Sequence, residues 1–292
     1  MLSLSDIADS IWNQPVDCTF VLADELQKLF EQDGKSPLEA IEAADKCLEQ
    51  VYTLIVEKIN YYQQKKVKPN FSFGDESKYS LIGAAVSEKD PQVQIRLLHR
   101  NKLFTYIATL DWKLFENLCA NSLRLSGFLK VDVGRRTSDG GLDFFGVKPL
   151  GTKDYSGCTA DRHYRVFGQA KRRTKDSIQH DEVRIFVSEF DDFKQDVGSA
   201  YDYVKSEHKW FIEAQGVLDA MFVTNTRFEK GAKQYAHRKK IQLREGIEIV
   251  EDIVRLAKID DWLKIEDGKY VFAPDHFDQY LCRDFNNKSS TS

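Results

Sequence analysis

The chain has 292 residues, 42% hydrophobic and 30% charged, which is enough apolar side chain for a real core and excludes wholesale disorder or a low-complexity fibre. A net charge of −4 argues against a generic nucleic-acid coat. No apolar run approaches the ~18 residues of a membrane span. Met1–Gln14 carries Asp6 and Asp9 without a basic stretch, and five scattered cysteines form neither a disulfide framework nor a zinc spacing. A cytoplasmic protein without a secretory signal is expected.

Ser36 before Pro37 marks a helix start, and Ile41, Ala44, Leu48, Val51, Ile55 and Ile59 then recur at helical steps towards Lys66. Its sticky face must pack within its own domain or against a second copy. Pro69 and the polar stretch from Asn70 to Lys78 end it. A second helical pattern runs from about Asp90 to Ile107. No chemical motif precedes residue 109, so residues 1–108 read as an α-helical N-terminal domain for recognition, a partner or oligomerisation.

From Thr109 the pattern alternates. Asp111 caps a helix whose face carries Phe115, Leu118, Cys119, Ser122 and Leu125, and Gly127 stops it. β-rich stretches follow at Phe128–Val133, Leu142–Val147 and Tyr164–Ala170, then helical spacing at about 177–190 and 196–213. Ala220–Thr224 reads as a strand, Phe228–Lys240 as a helix, and Glu248–Val250 as a short strand before a helix through Ala257. The predicted fold is α/β, a mixed sheet flanked by helices over 109–260, with 261–292 an extension ending in a frayed tail.

Charge is segregated along this region. Residues 161–175 hold six basic side chains and one acid, whereas 176–196 hold two basic and seven acidic ones. A basic stretch in an acidic chain suits anion contact at one place, or is simply a solvated loop.

Three signals carry chemistry. Asp139-Gly140-Gly141-Leu142-Asp143 is a permissive turn delivering an aspartate to the start of a strand. Gln169-Ala170-Lys171 ends another strand, so alternation puts Gln169 and Lys171 on one face. Glu116 borders the apolar stripe of the preceding helix. Each alone has an ordinary reading, as a turn, a surface strand or a solvated glutamate. Together they offer oxygen donors, Asp143 and Gln169, for a hard cation such as Mg²⁺, with Mn²⁺ as a substitute, and an ammonium, Lys171, for developing negative charge. No G-x-S-x-G, Walker A or G-x-G-x-x-G sequence is present, which leaves serine hydrolase, P-loop and Rossmann readings without support.

The run Phe115-Glu116, Gly127-Phe128, Asp139-Gly140-Gly141-Leu142-Asp143 and Gln169-Ala170-Lys171-Arg172 resembles the Mrr-like branch of the PD-(D/E)xK restriction-endonuclease superfamily, in its Gln-x-Lys variant. Phe222-Val223-Thr224-Asn225, then Phe228, Ala232 and Ala236, resembles that family's following strand and helix, and Ile247–Val250 its closing strand. The likeness covers about 109–258. It implies a restriction-endonuclease-like fold and metal-dependent hydrolysis of DNA phosphodiesters, as the nuclease effector of a prokaryotic restriction or anti-phage system. Asp143 would ligate metal, Gln169 would stand where an acid is more common, Lys171 would be the catalytic lysine, Glu116 an auxiliary acid, and Asp139 a motif position of less defined role. Arg135, Arg136, Arg172, Arg173 and Lys175 would contact double-stranded DNA through phosphates. Lys233, His237, Arg238, Lys239 and Lys240 form a second basic group, read equally as a solvated helix end.

Cutting both strands implies a homodimer or larger oligomer, and the N-terminal region invites a defence-system partner protein. No membrane role is expected. Two other readings stay open: a non-catalytic nuclease-fold module that binds DNA or protein, and an RNA-directed nuclease.

Overall fold

The computed structural model describes residues 3–134, 141–150, 162–174 and 176–283. The chain divides into two compact units between Asn101 and Lys102.

The first unit contains α1 (Leu4–Trp12), β1 (Thr19–Val21), α2 (Leu22–Gln32), α3 (Pro37–Gln64), β2 (Phe71–Phe73), β3 (Ser80–Gly83) and the start of α4 (Pro91–Ile107). Ser36 caps α3 through a capping box with Glu39, as its sequence position predicts. The buried stripe of α3 is Ala40, Ala44, Cys47, Val51, Ile55 and Ile59, so Ile41 stands exposed where the sequence spacing placed it inside. α1 and α2 pack on this stripe, so the face is covered within its own unit.

The unit also holds an antiparallel sheet in the order β1-β3-β2, which the all-helical expectation lacked. Its strands have three or four residues, too few to show alternation. The guanidinium of Arg100, 1% exposed, donates to the Lys68 carbonyl (2.6 Å) and to Asn70 Oδ1. Asn70 Nδ2 in turn donates to the Trp12 carbonyl (2.9 Å), so one buried network joins α1, β2 and α4.

The second unit contains α5 (Trp112–Leu125), β4 (Lys130–Val133), β5 (Phe144–Pro149), β6 (His163–Lys171), α6 (His180–Lys194), α7 (Ser199–Glu207), α8 (Lys209–Glu213), β7 (Gly216–Thr224), α9 (Lys230–Lys239), β8 (Gln242–Glu245), α10 (Gly246–Leu256), β9 (Leu263–Glu266), β10 (Lys269–Phe272) and α11 (Pro274–Cys282). Five strands form one sheet in the order β4-β5-β6-β7-β8. β4, β5 and β6 pair antiparallel, whereas β6, β7 and β8 pair parallel. The sheet is therefore mixed, with helices on both faces.

Side-chain alternation assigns those faces. On β6, Phe167 meets Phe186, Phe190 and Phe193 of α6, with ring centroids 5.0 to 5.8 Å apart. Gly146 lies on the opposite face, where an added β-carbon would sit 3.1 to 3.2 Å from Leu123 of α5, from Phe128 just after that helix and from Val131 of β4. α5 and α6 thus flank the sheet from opposite sides.

Asp111 caps α5 by accepting from the Leu114 N–H (2.8 Å). Phe115, Leu118, Cys119 and Ser122 of its expected face are buried while Leu125 is only half-buried, and Asn117, Ala120, Asn121 and Leu123 are buried too, because α10 and α11 pack against it as well. The C-terminal part holds the β9–β10 hairpin and α11, tied to α5 by Asn121 Nδ2 donating to the Leu281 carbonyl (3.3 Å). The expected tail from Asn286 to Ser292 lies outside the described residues.

One expected element is corrected. Glu248–Val250 is not a strand but belongs to α10, and the last strand of the large sheet is β8 at Gln242–Glu245. Glu245 and Glu248 form a capping box, and Ile247, Ile249, Val250, Ile253 and Val254 bury one helical face. Three apolar residues in four look the same in a strand and at a helix start, and the cap decides between them.

Phe144 pairs with Gly168 across β5 and β6, and a β-carbon on Gly168 would collide with the Phe144 ring. Gly168→Ala is expected to destabilise the fold by roughly 1–3 kcal/mol through overpacking. A shifted urea midpoint with an unchanged slope checks this.

Candidate active site

The site is built at the C-terminal end of β6. Asp143 precedes β5 and extends its pairing by one residue, its N–H donating to the Gly168 carbonyl (2.9 Å). The N–H of Ala170 points to the same side beyond the end of β5, and Asp143 Oδ2 accepts it (2.8 Å). A main-chain donor withdrawn from solvent needs a partner, and for this half-buried one a carboxylate supplies it. The Asp143 carboxylate is thereby fixed beside the residue that lies between Gln169 and Lys171.

Gln169 and Lys171 share the face of Phe167, the face that α6 covers. Two glutamates of α6 reach them. Glu182 Oε1 stands 3.5 Å from Lys171 Nζ and also bonds the Arg173 guanidinium. Glu189 stands by Gln169: a β-carbon on Gly141 would collide with Glu189 Oε2 and lie 2.9 Å from Gln169 Nε2. Gly141 adopts φ +73°, so the turn entering β5 requires glycine both for its conformation and for this close approach. Sequence reading missed both glutamates. The available signal was their seven-residue separation in the acidic stretch after Lys171, which places them on one helical stripe.

Glu116 lies on α5, in the other layer. Its charge and that of Asp143 both act on the Cys119 thiol. Burial first, then Asp143 and Glu116, push that thiol well above the ordinary cysteine range, with Arg244 opposing. Cys119 is fully buried and is an inert core residue.

Beyond β6, Asn225 extends the ladder with its side chain. Its Oδ1 accepts from the Arg173 N–H (2.7 Å) and its Nδ2 donates to the Arg173 carbonyl (2.8 Å). Arg172 donates to the Ala108 carbonyl (3.3 Å). Arg172 and Arg173, the two described arginines of the expected DNA-binding group, thus hold intramolecular contacts. Arg135, Arg136, Asp139 and Lys175 lie outside the described residues. In the second basic group, Lys233 pairs with the buried Glu245 (3.0 Å), while His237, Arg238, Lys239 and Lys240 are exposed.

Among the described residues, no three His, Cys, Asp or Glu side chains stand together as a metal site. The donors around the end of β6 are oxygens, from the Asp143 carboxylate, the Gln169 amide and the Glu189 carboxylate. That chemistry fits a hard divalent cation and does not suit a thiolate- or imidazole-preferring metal.

The arrangement is a helix-flanked mixed sheet with an aspartate locked to a Gln-x-Lys strand end. Residues 107–200 match the Mrr_cat family model, described as "Restriction endonuclease", so this segment is similar to Mrr-like restriction-endonuclease domains. Glu116, Asp143, Gln169 and Lys171 all fall within it. Among solved structures the chain is similar to "MspJI Restriction Endonuclease in Complex with 27-mer Oligonucleotide", with 17% identity and a TM-score of 0.36 over 65% of this chain and 36% of that one. It is also similar to "DNA modification-dependent restriction endonuclease AspBHI", with 14% identity and a TM-score of 0.32 over 77% of this chain and 47% of that one. The chain spans less than half the length of either, and likeness at this level says nothing of recognition or cutting. No curated protein matches the chain. Among the described residues no helix is long and apolar enough to cross a membrane.

Partial burial tends to raise Glu182, yet the Gln179 N–H, the Arg173 guanidinium and the Lys171 charge together hold its carboxyl below the ordinary glutamate range. A carboxylate depressed in the folded state adds stability above its unfolded value and loses it as pH falls through the folded one. The stability gap between the parent and Glu182→Gln is therefore expected to be full at neutral pH and to shrink on acidification. Urea midpoints across that range check it, and a gap independent of pH removes charge as its source.

Proposed function

We propose that the chain is a metal-dependent endonuclease that hydrolyses DNA phosphodiester bonds, the nuclease effector of a prokaryotic restriction or anti-phage defence system. The observation that carries this reading is the bond from the Ala170 N–H to Asp143, inside the segment that matches the restriction-endonuclease model. It ties the aspartate to a strand end whose next residues are an amide and an ammonium.

Asp143 and Gln169 would hold the cation, Mg²⁺ or in its place Mn²⁺. The cation, when bound, supplies Lewis-acid stabilisation of the phosphate and lowers the pKa of a bound water. Lys171, half-exposed beside Glu182, steadies negative charge developing on the scissile phosphate. Glu116 supports the site from α5 as an auxiliary acid.

Arg172 and Arg173 position the DNA backbone, exchanging their contacts with Ala108 and Glu182 for phosphate oxygens, and Arg135, Arg136 and Lys175 extend that group. Cleavage of both strands calls for two such sites and hence a homodimer or a partner-assembled oligomer. The first unit is the part available to a defence-system partner.

Asp143→Asn keeps an oxygen acceptor for the Ala170 N–H while removing the charge. This variant and Lys171→Ala are each expected to remain folded and to lose metal-dependent nicking of plasmid DNA by at least about a hundredfold. Circular dichroism and a supercoiled-plasmid assay check both points, and cutting at the parent rate by both variants would overturn the assignment.

A further inference from the structure

Gln169 leaves the proposed cation site short of charge. A divalent ion held by one carboxylate and one neutral amide keeps a net positive charge, and hard cations gain affinity with each anionic oxygen. Glu116 approaches from the α5 layer, whereas the Gln169 side chain lies on the face covered by α6. The carboxylate next to Gln169 on that face is Glu189. A single β-carbon placed on Gly141 would meet both its Oε2 and Gln169 Nε2, and Gly141 is two residues before Asp143. Glu189 Oε2 is shut off from solvent although the residue itself is half-buried.

The helix that carries Glu189 is firmly seated. Phe186, Phe190 and Phe193 seat α6 on Phe167, and the helix start is fixed by the capping box between Gln179 and Glu182. A side chain carried on a helix held this way is set within narrow limits. Glu182 and Glu189 divide the strand end between them, the first at Lys171 and the second at Gln169.

We propose that Glu189 is a carboxylate of the cation site, supplying from α6 the charge that Gln169 lacks. This rests on the nuclease reading above and adds a residue outside the Asp and Gln-x-Lys pattern. A role confined to anchoring the Gly141 turn needs an oxygen acceptor but no charge, so Glu189→Gln separates the two.

The test is calorimetric titration of Mn²⁺ into the full chain without DNA, for the parent, Glu189→Gln, Glu189→Asp and Asp143→Asn, with a metal-free thermal midpoint for each. Glu189→Gln is expected to weaken Mn²⁺ binding by at least about tenfold while its metal-free midpoint stays at the parent value. Glu189→Asp, which keeps the charge, is expected to bind more tightly than Glu189→Gln. If Glu189→Gln binds as the parent does while Asp143→Asn loses the cation, this inference is overturned and the nuclease reading stands. If the parent binds no cation, or Asp143→Asn binds like the parent, the nuclease reading fails and this inference with it.

Discussion

The second unit turns on one main-chain donor. The N–H of Ala170 faces the β5 side past the end of that strand, and the carboxylate of Asp143 is what it meets. The donor is half-buried, so meeting it serves the fold as well as the site. It also sets the register of the chemistry. An aspartate many residues before the Gln-x-Lys sequence is brought to the residue in its middle, and the Phe144 ring seated over Gly168 keeps the two strands from slipping past each other.

The two faces of the sheet then divide the labour. The α5 face holds the buried thiol of Cys119, on which the charges of Asp143 and Glu116 both act. The α6 face holds Gln169 and Lys171 under two glutamates of one helical stripe. Glu182 already engages the lysine and Arg173, so any anion that reached them would compete with an internal carboxylate for both cations. Such competition favours a polyanion over a single small anion, because many phosphates together offset the loss of one ion pair.

Much of this was readable in the sequence because it rests on local rules. Ser36 and Asp111 announce their helices through capping, Gly127 ends α5, and the strands ending in Gln-x-Lys and beginning after Asp143 stand out by composition and alternation. What escaped was contextual. The three short strands of the first unit are defined by partners far along the chain, and α10 differs from a strand only through the Glu245–Glu248 cap. Glu182 and Glu189 sat in a run of acids that reads as a solvated helix, and their placement beside the strand end is visible only once Phe186, Phe190 and Phe193 decide which stripe faces the sheet. Asn225, whose amide stands in for a further rung of the β6–β7 ladder, could not be told from an ordinary turn residue.

β6 is antiparallel to β5 on one side and parallel to β7 on the other. The restriction-endonuclease match ends at residue 200, whereas β7 begins at Gly216. A fragment cut at the end of the match would keep the aspartate, amide, ammonium and both α6 glutamates, yet expose a nine-residue strand edge along β6. Such an open edge recruits strands from other molecules. Trimming the domain to its recognisable motif would therefore yield a self-associating polypeptide rather than a smaller stable domain, and sedimentation of that fragment measures it directly.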